Sequence, residues 1–335
     1  MQYAYARVRM EHASASAQRP TCSIESNGNS SGLWLISDRL HLWTCATARS
    51  HVLLRHWLHH YQQQGVRAAN AHVIVHEDFA PPHTLRSARH VLESAGVVDI
   101  TWQPGVNSTV LEKLKLKHIN TFIREGLPPD GWLIFADADE FFVYPCDTLQ
   151  ALRKSRREAA CAFQQDRVAE DLSSIPSVQA TPPIEQQYPK CAKLRALMHA
   201  NVQGNPLKIA LIRARPWGLV PNYYTAHRVY AGKRSIGGFP SASGNGCVML
   251  PRFAHYAMTH EAIELSRRRV ADGYGFATGG SSTGGGTYEQ TMRMVVPCNG
   301  TSKGCYKFAR AANVESRLMT CGQGCSSCVP PGSLF

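Results

Sequence analysis

Two aspartates, Asp137 and Asp139, stand two residues apart and are followed at once by Glu140, directly after the most continuous apolar run in the chain, Trp132-Leu-Ile-Phe-Ala136. Carboxylates placed beside a core are costly unless something neutralises them. A divalent cation does this. Mg²⁺ and Mn²⁺ take oxygen ligands, commonly one or two protein carboxylates with phosphate oxygens in other positions, which is the coordination a nucleoside diphosphate demands. If the extended backbone persists past Ala136, its period of two points Asp137 and Asp139 the same way and Glu140 to the opposite side. The plainer alternative is a pair of acids capping a loop. The strand before the motif and the strand–helix units upstream favour the metal.

Those upstream units must position the acids. A short apolar run over 40–45 predicts a buried strand, and 46–50 a loop. Residues 52–64 predict a helix ended by Gly65, with Leu53, Trp57, Leu58 and Tyr61 on one face. A strand over 71–75, a helix over 84–94 closed by Gly96, a strand over 97–102 and a helix over 109–124 follow, before the breaker 126–131 and the strand at 132–136. Such alternation predicts an α/β fold, a Rossmann-like, mostly parallel sheet flanked by helices, with ligand beyond the carboxyl ends of the strands. Downstream the pattern loosens: a helix over 148–158, a strand over 160–164, a Pro- and Gln-rich stretch over 173–189 read as a mobile loop, strands over 207–213 and 226–230, and a helix over 260–270. The domain plan is a flexible lead-in over 1–37, one α/β domain over 38–271, a Gly/Ser/Thr linker over 272–287 and a Cys-rich tail over 288–335.

One enzyme class that sets Asp-x-Asp after an apolar strand is the phosphatases whose first Asp is the nucleophile, a role Asp137 would take. Those carry Thr or Val two residues past the second Asp and put the motif on the first strand; here Phe141 stands there and the motif follows the fourth strand. The string Phe135-Ala-Asp-Ala-Asp-Glu-Phe-Phe142 instead resembles the D-x-D-E-F signature of the family-2-like and family-92-like glycosyltransferases of GT-A fold. Leu53-Leu-Arg-His-Trp-Leu-His-His-Tyr61 with Gly65-Val66 is similar to their first helix, Lys208-Ile-Ala-Leu-Ile-Arg213 to their K-s-I-v-r-P segment, and His255-Tyr256 to their H-Y element, with His227 where they carry a later His. Two departures stand out: Ala46-Thr-Ala-Arg49 replaces their usual Asn-Glu, and His56 stands where Glu is common.

The resemblance implies a nucleoside-diphosphate-sugar donor, Mn²⁺ or Mg²⁺, a glycan or glycoconjugate acceptor, and a Golgi or secretory setting. Asp137, Asp139 and His255 would then hold the metal, with Arg49 beside the two aspartates on the donor; His227 and His260 are rivals to His255. A base must deprotonate the acceptor hydroxyl. Asp166, Glu170 and Asp171 are candidates, and Asp166 lies nearest a strand end. Arg213 and Arg215 either hold a phosphate or lie along the surface. A third reading, beside transferase and phosphatase, is a secreted carbohydrate-binding protein whose catalytic site has decayed.

Composition narrows the partners. The 335-residue chain is 44% hydrophobic and 18% charged, an ordinary globular balance. A formal net charge of +12 favours anions, but the basic runs at 153–157 and 267–269 have no interleaved aromatics, so nucleic acid is not expected. No run of about eighteen apolar residues predicts a transmembrane segment, and no signal peptide is visible. Eleven cysteines, five of them in the tail (Cys298, Cys305, Cys321, Cys325 and Cys328), favour disulfides over a zinc site, because paired C-x₂-C knuckles are absent. Sequons at Asn29, Asn107 and Asn299 agree with a secretory lumen.

Overall fold

The computed structural model describes residues 38–77, 82–104, 108–145, 148–192, 207–215, 223–225, 228–231, 234–236, 247–271, 295–298 and 305–309. The expected lead-in, the linker, His227, the three sequons and most of the tail lie outside them. The first half alternates as the sequence predicts: β1 (Leu40–Thr47), α1 (His51–Gln63), β2 (Ala71–His76), α2 (Pro82–Ser94), β3 (Asp99–Gln103), α3 (Ser108–Thr121) and β4 (Trp132–Phe135). Then come β5 (Glu140–Phe141), α4 (Thr148–Ser155), β6 (Ala159–Val168), α5 (Ile184–Gln187), β7 (Lys190–Ala192) and β8 (Leu207–Arg213). The remainder is β9 (Tyr223–Thr225), β10 (Arg228–Ala231), β11 (Arg234–Ile236), β12 (Cys247–Met249), β13 (Phe253–His255), α6 (His260–Ala271), β14 (Val295–Pro297) and β15 (Tyr306–Phe308).

The large sheet runs β3-β2-β1-β4-β8-β6-β13-β5, with β12 and β7 paired to β6. β3, β2, β1 and β4 are mutually parallel; β8 enters antiparallel between β4 and β6, and β13 is parallel to β6. This is the mostly parallel, helix-flanked α/β sheet expected. Strand periodicity divides the core in two. Leu40, Leu42 and Ala46 of β1 join Val73, Val75, Trp132 and Ile134 in one cluster, packed under Leu53, Leu54, Trp57, Leu58 and Tyr61 of α1. Trp43, Ile74, Leu133 and Phe135 face the other way, onto Ile119 and Ile123. Gly65 and Gly96, which end α1 and α2, adopt φ of 93° and 83°, the left-handed region that favours glycine.

One expectation is corrected. The stretch over 173–189, read as a mobile loop, contains α5 and packs inward: Ile175, Val178, Ile184 and Tyr188 are buried. Its apolar residues are spaced irregularly between prolines, which hides them from a periodicity reading. The described part of the tail joins the body of the fold. β14 and β15 form a hairpin closed by the Cys298–Cys305 disulfide, and the Tyr306 carbonyl accepts the Ile175 N–H at 2.6 Å. That pairing fits disulfide rather than zinc use of these two cysteines. A second disulfide, Cys161–Cys247, ties β12 to β6 across 86 residues; neither cysteine's spacing foretold it.

Candidate active site

Strand order fixes where a ligand can bind. β1 has β2 on one side and β4 on the other, so the chain reverses its direction of travel across the sheet between them. A crevice opens beyond the carboxyl ends of parallel strands at such a point. The carboxyl end of β1 leads into the 3₁₀ turn Ala48–Ser50, which carries Arg49; that of β4 leads into Asp137. Arg49 and Asp137, two of the three donor contacts expected from the sequence, thus stand at neighbouring strand ends.

Past Ala136 the backbone does not stay extended. It turns, with the Glu140 N–H donating to the Asp137 carbonyl at 2.9 Å, and the Asp137 N–H donating to the Glu140 carboxylate at 3.3 Å. This corrects the expectation for Glu140, which comes round toward the same centre as Asp139. β5 then pairs with β13 so that Glu140 lies opposite His255, and β13 pairs with β6 so that His255 lies opposite Asp166. One row across three strands therefore aligns a carboxylate, an imidazole and a carboxylate. Asp139, Glu140 and His255 each offer a ligand atom within 4.8 Å of the others.

Each group has a distinct setting. His255 Nε2 lies 3.4 Å from Asp139 Oδ2, while Nδ1 lies 2.7 Å from Asp166 Oδ1, which also accepts from Gln164 Nε2 at 2.8 Å. Burial works against the imidazolium, but Asp139 and then Asp166 outweigh it and hold the His255 pKa above its ordinary value. Burial likewise opposes the Asp139 carboxylate, and His255 more than compensates, so its pKa lies below the usual range. Asp166 is 4% exposed and sits behind His255. Expected as the base, it is placed to hold the imidazole and lies away from open space. Of its rivals, Asp171 accepts from the Ser173 N–H and hydroxyl, and Glu170 pairs with Lys190 on the surface.

Asp137 is engaged from two sides. Lys115 of α3 reaches its Oδ1 at 2.6 Å, and Lys208 of β8 its Oδ2 at 3.5 Å; Lys208 also forms a buried ion pair with Glu140. Burial pushes the Lys208 ammonium pKa down, with Asp137 and Asp139 recovering part of the loss. Sequence reasoning assigned no site role to either lysine or to Gln164. Lys115 reads as one more polar helix residue, whereas a lone lysine inside the apolar run of β8 was a signal that a buried partner must exist. His260 starts α6 and packs against Tyr306 with the rings tilted by 46° and their centroids 5.4 Å apart, and Arg215 donates to the Arg124 carbonyl at 3.5 Å.

The turn is clamped from behind by α1. Tyr61 Oη donates to the Glu140 carbonyl at 2.9 Å and accepts the Phe142 N–H at 3.1 Å, while His60 Nε2 meets the Phe142 carbonyl at 2.6 Å. Tyr61→Phe strands a buried N–H and carbonyl, so it is expected to cost about 1–3 kcal/mol of unfolding free energy. Urea denaturation measures this, and a midpoint equal to that of the wild type would show the clamp to be dispensable.

No protein-family model matches the chain, and no curated protein matches it. Among solved structures it is similar to a 4-diphosphocytidyl-2C-methyl-D-erythritol synthase, at 14% identity and a TM-score of 0.27 over 52% of this chain and 75% of that one. It is also similar to S. aureus TarS 1–349, at 11% identity and a TM-score of 0.31, and to S. aureus TarS, at 9% and 0.33. These cover 69% and 76% of this chain, which spans 65% and 42% of theirs, less than two thirds in either case. At such TM-scores the likeness decides nothing about chemistry.

Proposed function

We propose that the chain is a metal-dependent glycosyltransferase that moves a sugar from a nucleoside-diphosphate sugar to a glycan or glycoconjugate acceptor. The observation that supports it is the convergence of Asp139, Glu140 and His255 beyond the carboxyl end of β4, beside the strand reversal at β1 and β4. The donor set suits the cation: two carboxylates and an imidazole match Mn²⁺. The charges suit it as well, since Asp137, Asp139, Glu140 and Asp166 outnumber the cationic Lys115, Lys208 and His255. Asp139 and His255 would hold the ion with Glu140 in reach; Asp137, the third ligand expected, meets Lys115 and Lys208, and Lys208 meets Glu140 as well. The ion would supply Lewis-acid stabilisation of the departing diphosphate.

The chain's own groups do the rest. Lys115 and Lys208 place ammonium charge beside the position a diphosphate would take, Arg49 stands at the neighbouring strand end for the nucleotide, and Asp166 positions His255 through Nδ1. A carboxylate behind a ligating imidazole fixes its tautomer and raises its basicity. Asp166→Asn is therefore expected to weaken Mn²⁺ affinity by about 10–100-fold. Titration followed by calorimetry checks this, and unchanged affinity would remove the positioning role. The Cys161–Cys247 and Cys298–Cys305 disulfides support an oxidising compartment such as the secretory lumen, and among the described residues no helix is long and apolar enough to cross a membrane.

The direct test is thermal. Ligand that binds only the native state raises the melting temperature by mass action. UDP, GDP and CDP are each added with Mn²⁺, and at least one is expected to raise it beyond the shift from Mn²⁺ alone. No shift with any of the three would count against the transferase.

A further inference from the structure

A cleft of about 550 Å³ lies between α1 and α2, with Ala180 at its side, and its polar lining is His51 and Arg55 from one helix and His83, Arg86, Ser87 and His90 from the other. No carboxylate lines it, and no aromatic ring other than imidazole. Both helices start where β1 and β2 end, so the cleft opens at the same edge of the sheet as the Asp139 cluster, and the positive ends of two helix dipoles add to it. His51 follows Arg49 and the 3₁₀ turn directly.

The arginines of α1 and α2 differ in their partners. Arg89, pointing elsewhere, pairs with Glu93 and lies over the Trp102 ring. Arg55 and Arg86, which face the cleft, have neither hydrogen bond nor ion pair among the described residues. Two guanidinium forks in a concave site, with no acid opposite them, are suited to bidentate contact with a carboxylate or sulfate. Imidazole and serine both donate and accept, which suits sugar hydroxyls. No indole, phenol or phenyl ring lines the cleft, and its volume is in the range of small-ligand sites.

We propose that this cleft binds an acidic sugar, carboxylated or sulfated, of the acceptor glycan, an inference that rests on the transferase reading for the word acceptor but not for the binding itself. The test uses the whole chain, with tetragalacturonate and a heparin-derived tetrasaccharide as acidic probes and maltotetraose as the neutral one, read by calorimetry at fixed ionic strength. Both acidic probes, or one of them, should bind more tightly than maltotetraose. Arg55→Ser/Arg86→Ser should weaken that binding by about tenfold or more. Whichever acidic probe binds better identifies the anion.

Arg153→Ser/Lys154→Ser, on exposed positions of α4, should leave the binding unchanged. Equal loss in that control would mean diffuse charge attraction and overturn the site. So would acidic probes no tighter than maltotetraose, or an unaffected Arg55/Arg86 variant. Tighter binding of a single-stranded oligonucleotide, lost in the same variant, would also overturn it. The melting shifts with UDP, GDP and CDP, each with Mn²⁺, are measured alongside. A shift retained without sugar binding sinks the cleft alone, and sugar binding without any nucleotide shift sinks the transferase reading alone.

Discussion

Asp139→Asn is expected to reduce Mn²⁺-dependent nucleotide binding and sugar transfer by about 100-fold or more, while the melting temperature of the metal-free protein stays close to wild type. The amide keeps the shape and one carbonyl oxygen but loses the charge that offsets the cation, and stabilisation of the departing diphosphate is worth several kcal/mol. The fold gives little reason for a large stability loss. Asp139 is 31% exposed in its side chain, and its partner His255 keeps Asp166 on Nδ1. A partly exposed ion pair of this kind contributes about 1 kcal/mol or less. Binding isotherms and melting curves are to be taken on the same preparation. Wild-type nucleotide affinity with a lowered melting temperature would mean that Asp139 is a structural acid, and would sink its role as a ligand.

Lys208→Met should act in the opposite sense, on the fold first. Lys208 and Glu140 are 7% and 2% exposed in their side chains and face one another, with Asp137 close by. Removing the ammonium leaves Glu140 as a buried charge beside a second carboxylate. Breaking one partner out of a buried pair costs about 3–5 kcal/mol. The Asp137 N–H still donates to Glu140, which places the expectation at the lower end, about 3 kcal/mol in urea denaturation. Adding Glu140→Gln should recover most of the loss, since two contacting residues are not additive. At equal Mn²⁺, the single variant should also gain more melting temperature than wild type does, because the cluster has become more negative. A single variant as stable as wild type would show that Lys208 does not neutralise this cluster.

Much of the first half could be read from the residues alone. β1 to β4 and the helices between them are spelled out by apolar period and by the glycines at 65 and 96, because each unit buries its stripe against its sequence neighbour. The acids at 137 and 139 were legible for a related reason: charge directly after the apolar run of β4 needs a purpose. His255 was named from its resemblance to an H-Y element, and the structure sets its imidazole against Asp139.

What the sequence could not carry is every contact made by strands far apart in the chain. Asp137 and Asp139 are two residues apart, yet a turn at Ala138 and Asp139 brings Glu140 round to face His255, which an extended reading sends to the other side. Asp166 is near a strand end in sequence, but only the parallel pairing of β6 with β13 shows that it stands behind an imidazole. Lys115 and Lys208 come from α3 and from the antiparallel strand beside β4, and Cys161 meets Cys247 because β12 is a short strand added to β6. Local pattern reports which faces are buried, since burial recurs with the period of the helix or strand. Which charges meet across those faces depends on strand order and register, set by the packing of the whole sheet, and so the tertiary structure alone decided that Lys115 and Lys208 meet Asp137, that Lys208 also meets Glu140, and that Asp139, Glu140 and His255 converge.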